Sequence, residues 1–82
     1  MPYSMTVYTM SHCAPCNEFK NFLDKNNINY LVKEITGDKE ASKEFNDKGF
    51  MYTPTSIIEI DGKTHTIVGG NREEVEQLLH IK

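Results

Sequence analysis

The sequence predicts an α/β domain, a mixed four-stranded sheet with three helices in the order β-α-β-α-β-β-α, spanning residues 1–82. Three observations carry that expectation. A β-branched and aromatic run at 5–9 (MTVYT) passes directly into a stretch whose apolar residues recur at helical spacing. A second strand-like run follows at 29–35 (NYLVKEI), and a strand, helix, strand series favours a right-handed parallel unit. Further on, Asp61-Gly62 separates two strand-like runs and suits a type I′ turn, which adds an antiparallel hairpin.

The first helix opens beside Cys13 and Pro15. Cys16, Phe19, Phe22 and Leu23 share one face, with Glu18, Lys20, Asn21 and Asp24 on the other. Asn26 and Asn27 are suited to end it, since Asn tolerates the left-handed conformation. The segment TGDKEASKEFNDKGF reads as a loop, a polar helix over about 39–48 and a stop at Gly49. Ala41, Phe45 and the stem of Lys48 are its only inward stripe, so this helix is expected to be marginal and mobile. Runs 56–60 and 63–68 form the hairpin. Gly69-Gly70 then breaks the strand, and 72–79 forms the last helix with Val75, Leu78 and Leu79 inward. No repeat, low-complexity tract or linker interrupts the chain, which is expected to be one domain and a monomer.

Composition excludes several functions. With 38% hydrophobic and 26% charged residues the chain has an ordinary globular balance. Its net charge is −3, and no basic run is present to neutralise phosphates, so nucleic acid and anionic membranes are not expected partners. No apolar segment approaches the ~20 residues needed to span a bilayer. The start, MPYSMTVYTM, has neither a basic n-region nor a continuous apolar h-region, so a cytoplasmic location is expected. A permanent structural disulfide is disfavoured in that reducing compartment.

That leaves the chemistry of Cys13 and Cys16, separated by Ala14-Pro15. With Cys13 as N-cap, Ala14, Pro15 and Cys16 become the first helical residues. A cap side chain accepts from the second or third backbone N–H, and Pro15 has none, so Cys16 supplies the donor. A Cys13 thiolate would face that donor and the positive end of the helix dipole, both of which lower its pKa. Cys16, one turn in on the apolar side, keeps its proton longer. Cys13 is thus placed to attack a disulfide and Cys16 to resolve the mixed disulfide. His12, as an imidazolium, could lower the Cys13 pKa further, but adjacent residues in an extended loop usually point apart. A zinc site needs three or four protein ligands; beyond the one Cys pair only His12, His65 and His80 offer nitrogen, so no metal ligand is assigned. The alternative of a different class is a module that binds a metal or an iron–sulfur cluster through the same two cysteines.

The ordered set MTVYT, CAPC opening a helix, Thr53-Pro54 before the third strand and Gly69-Gly70 before the last helix resembles the glutaredoxin branch of the thioredoxin-fold family. The resemblance covers nearly the whole chain, in the minimal form without thioredoxin's extra N-terminal strand and helix. It implies a thiol–disulfide oxidoreductase, with Cys13 as nucleophile and Cys16 as resolving thiol, acting in electron transport and cell redox homeostasis. It implies a cis Thr53–Pro54 bond facing the cysteines, which exposes the Thr53 backbone to an extended thiol peptide. Gly69, Gly70 and Asn71 then form a groove edge where an anion approaches a helix N-terminus, with Asn71 as cap and Glu74 three residues on. Tyr8, Met10, His12 and Pro15 complete the active-site environment.

The substrates implied are disulfide-containing proteins or small-molecule disulfides, without a bound cofactor. The electron donor is glutathione or a thioredoxin reductase. Similar glutathione-using proteins carry a lysine where this chain has Met10, and an acidic residue soon after the two glycines where it has Asn71 and Arg72. Small redoxins that take electrons from thioredoxin reductase are also similar, although this chain lacks their Ser-Gly-Phe run. Weak use of glutathione and better use of the flavoprotein are therefore expected.

Overall fold

A computed structural model describes residues 2–81. Its elements are β1 (Tyr3–Thr9), α1 (Ala14–Lys25), β2 (Leu31–Glu34), α2 (Lys39–Asp47), β3 (Thr55–Ile60), β4 (Lys63–Val68) and α3 (Arg72–Leu79). The strands lie in the order β2-β1-β3-β4. β1 and β2 are parallel, and the β1/β3 and β3/β4 pairs are antiparallel. The expected element order and mixed sheet are both present.

Strand alternation sorts the two faces. Met5 and Val7 of β1, Ile58 and Ile60 of β3 and Ile67 of β4 meet Phe19 and Leu23 of α1, Ile28 and Val75 of α3 in one buried cluster. Burying each such side chain contributes roughly 1.5–3 kcal/mol. The opposite face is thinner. There Tyr8 packs against Phe45 of α2 and against Phe50, with ring centroids 6.0 and 5.8 Å apart.

Local chemistry sets the boundaries. Asn26 caps α1, its side-chain amide donating to the Phe22 carbonyl at 2.9 Å, and Asn27 follows in the left-handed region at φ 57°. The Asp38 carboxylate caps α2 by accepting from the N–H groups of Glu40 and Ala41 at 3.0 and 3.2 Å. Asp61 and Gly62 both have positive φ, 55° and 75°, as a type I′ turn requires.

Several boundaries differ from the sequence reading, β3 by a single residue, since it starts at Thr55. β1 begins two residues earlier, because Tyr3 and Ser4 pair with Ile60 and Glu59. β2 is shorter than 29–35: the ladder register with β1 runs from Leu31 to Glu34, the Ile35 N–H closes it by donating to the Thr9 carbonyl at 2.8 Å, and the Asn29 N–H goes to the Tyr3 hydroxyl instead. Lys48 is an exposed C-cap rather than part of the inward stripe of α2. Glu44, which the sequence reading left out of the inward stripe, makes a polar contact with Tyr8 of β1. No helix among the described residues is long and apolar enough to cross a membrane.

Candidate active site

Cys13 and Cys16 are joined as a disulfide at the N-terminus of α1, with their Cα atoms 5.2 Å apart. Cys13 is the N-cap in extended conformation, and the Cys16 N–H donates to its sulfur at 3.2 Å. Pro15 occupies the first turn, is exposed, and supplies no competing N–H. Burial separates the two sulfurs' residues. Cys16 is 1% exposed within the α1 face of the core, whereas Cys13 is only half-buried.

Thr53 stands across from Cys13, its Oγ1 3.6 Å from the sulfur; with no S–H in a disulfide, the hydroxyl is the donor. The Thr53–Pro54 peptide is cis, and Pro54 is buried. The Pro54 carbonyl accepts from the Gly69 N–H at 2.7 Å, which ties the β3 entry to the turn after β4. That N–H is therefore engaged within the chain. Gly69 has φ 77°, a conformation that favours glycine. At Gly70 a Cβ would meet Phe19 at ordinary contact distance, 3.5 Å, so steric need does not demand glycine there. Asn71 caps α3, its side-chain oxygen accepting from the Glu74 N–H at 3.2 Å. Its amide also lies 3.4 Å from the Glu74 carboxylate.

The remaining site residues fall in different places. Met10 is exposed, 45%, in the segment leading to Cys13. His12 is exposed at φ 55°, a region His visits more readily than most residues, and no hydrogen bond joins it to Cys13 among the described residues. Tyr8 is buried on the α2 face of the sheet, and its polar contact is with Glu44 rather than with the cysteines. Burial, followed by the Glu44 hydrogen bond and charge, pushes the Tyr8 phenol up. The Lys33 hydrogen bond and then that of Tyr8 hold the Glu44 carboxyl below its ordinary value.

Two contacts near the site had no signal in sequence. The Ser11 N–H donates to Thr36 Oγ1 at 3.0 Å, and the Ser11 hydroxyl donates to the Glu34 carboxylate at 3.2 Å. They fasten the loop before Cys13 to the end of β2 and the turn that follows it. The second bond holds the Glu34 carboxylate against Ser11, the residue after Met10 in the chain. Among the described residues no three of His, Cys, Asp and Glu converge as a metal-binding group would require.

Comparisons with known proteins agree with this geometry. A family model described as Glutaredoxin matches residues 5–65. The crystal structure of the thioredoxin-like protein BC3987 superposes with a TM-score of 0.74 at 33% identity, covering 92% of this chain and 99% of that one. An uncharacterized glutaredoxin-like 8.6 kDa protein in the rubredoxin operon of Clostridium pasteurianum is 26% identical over 73 residues, 89% of this chain and 93% of that protein. The Gene 56 protein of Mycobacterium phage D29 is 25% identical over 75 residues, 92% of this chain and 81% of that protein. The fold is thioredoxin-like, and the cysteine pair at disulfide distance on it gives the molecule a redox role. The chain belongs to the glutaredoxin family.

Proposed function

We propose that the protein is a dithiol–disulfide oxidoreductase in which Cys13 is the nucleophile and Cys16 the resolving thiol. The observation that carries this reading is the Cys16 N–H aimed at the Cys13 sulfur over 3.2 Å, combined with the near-complete burial of Cys16. Backbone N–H and helix dipole both favour a thiolate at Cys13 over one at Cys16. The Cys13 thiolate attacks one sulfur of a substrate disulfide; a mixed disulfide forms and the other substrate sulfur leaves as a thiolate. Cys16 then loses its proton to solvent and attacks Cys13. The Cys13–Cys16 bond forms, the second substrate thiolate leaves, and two electrons have passed to the substrate.

Protein disulfides and small-molecule disulfides are the substrate class, and no bound cofactor enters the cycle. A flavoprotein of the thioredoxin reductase type regenerates the dithiol in preference to glutathione. The exposed Met10 and the Glu34 carboxylate held by the adjoining Ser11 support that order, because they offer no cation to a tripeptide that carries two carboxylates. Thr53, Pro54, Gly69, Gly70 and Asn71 bound the groove in which the substrate lies. The protein works as a monomer in a reducing, cytoplasmic compartment.

Trapping tests the assignment. Reduced Cys16→Ser protein mixed with a protein disulfide should accumulate a covalent adduct through Cys13, seen by mass and released by dithiothreitol. Reduced Cys13→Ser protein should give none. Equal adduct from both variants would overturn the division of roles.

A further inference from the structure

Beside Thr53, on the α2 side of the sheet, lies an apolar cavity of about 190 Å³. Phe50, Met51, Tyr52, Thr55, Thr66 and Val68 form its walls, and none of its lining residues is charged. Three of those side chains stand open to solvent: Met51 is 79% exposed, Tyr52 65% and Val68 60%. Large apolar groups clustered in the open around a concavity mark an interaction surface more often than chance exposure does.

The cavity continues the candidate active site on both of its walls. Tyr52 precedes Thr53, whose hydroxyl lies 3.6 Å from the Cys13 sulfur. Val68 precedes Gly69, whose N–H is held by the Pro54 carbonyl at 2.7 Å. An occupant bonded to Cys13 is thus already close to the opening. In an extended chain, residues two apart point to the same side and lie ~7 Å from one another. Tyr52, next to Thr53 in the chain, forms one wall of the cavity, so a substrate residue two positions from the attacked cysteine has the reach to enter. Its size is also set, since a dry apolar cavity of ~150 Å³ accommodates a benzene ring.

We infer that this cavity selects protein disulfides carrying a large apolar residue two positions from the reacting cysteine. The inference rests on the dithiol reading above and names the substrate class of that site. Glutathione, built from glutamate, cysteine and glycine, has no side chain to fill the cavity. A protein segment with leucine or phenylalanine there gains contact that the tripeptide lacks.

Two extended peptides serve as probes. Each carries one cysteine joined by a disulfide to 5-thio-2-nitrobenzoate, and they differ only in leucine or serine two residues from the cysteine. Attack by the reduced protein on the peptide sulfur forms the Cys13–peptide disulfide and expels the coloured thionitrobenzoate, so one release reports one event. Cys16 then closes on Cys13 and frees the peptide thiol. The leucine peptide should react roughly tenfold faster at subsaturating concentration, the scale expected of one apolar side chain in a pocket. In the variant Tyr52→Ala with Val68→Ser the ratio of the two rates should fall toward one. That ratio is the readout, so a general change in thiol reactivity cancels.

Release from both peptides at equal rates overturns the inference and leaves the dithiol reading standing. Release from neither overturns both. Equal rates accompanied by self-association that the double variant abolishes would assign the patch to a second copy of the chain instead.

Discussion

The hydroxyl of Tyr8 donates to the carboxylate of Glu44 at 3.0 Å, across 36 positions of sequence. Lys33 of β2 shares the same carboxylate oxygen at 2.7 Å, so one glutamate joins α2 to two adjacent strands. The pair stands on the thin face of the sheet, where α2 has few apolar contacts to hold it.

Tyr8→Phe should therefore cost about 1 kcal/mol in urea unfolding, the usual net worth of such a hydrogen bond. The pH dependence of Glu44→Gln follows from linkage. The folded Glu44 carboxyl is held below its ordinary value, chiefly by Lys33 and then by Tyr8. Its stabilisation is full above about pH 4.3, the ordinary glutamate value, and is lost as pH falls through the lower folded value. The stability gap between wild type and Glu44→Gln should be widest near neutrality and close in acid. A gap that is constant from pH 7 to 3 would contradict the pairing.

Ser56 gives a prediction of opposite sign. It is fully buried, 0% exposed, and its hydroxyl has no hydrogen-bond partner among the described residues. Leaving a buried hydroxyl unpaired costs about 1–3 kcal/mol, more than the small methyl-sized void left by its removal. Ser56→Ala should raise the urea midpoint without changing the slope. A clear fall in the midpoint would mean that the hydroxyl is satisfied.

What was legible in the sequence was whatever one turn of chain decides alone. Cys13 with Pro15, Asp61-Gly62 and Asn71 with Glu74 each fix their geometry within four residues, and each stands where its chemistry placed it. The Tyr8–Glu44–Lys33 cluster and the Ser11 contacts to Glu34 and Thr36 join residues 11 to 36 positions apart. Nothing local distinguishes those side chains from solvated ones. The start of β2 is hidden for the same reason: Asn29 and Tyr30 have strand-like neighbours in sequence, yet β1 offers them no ladder partner.

The identity of the electron donor is a prediction that separates two chemistries. Oxidised protein given NADPH with thioredoxin reductase should be reduced faster than the same protein given NADPH, glutathione and glutathione reductase. Met10→Lys should raise the glutathione rate selectively, several-fold if the new cation holds a carboxylate at roughly 1 kcal/mol. A faster glutathione arm in the wild type would contradict the proposed order of donors.

The central claim is that one helix terminus makes two cysteines unequal, and the rate of alkylation against pH tests it most directly. The reduced protein is treated with iodoacetamide from pH 4 to 10, and modification at each cysteine is followed by mass spectrometry of its peptide. Cys13 should react first at every pH, with a midpoint clearly below the ~8.5 of an unperturbed thiol. Cys16 should lag well behind it at neutral pH. Parallel profiles with comparable rates at Cys13 and Cys16 would contradict the account.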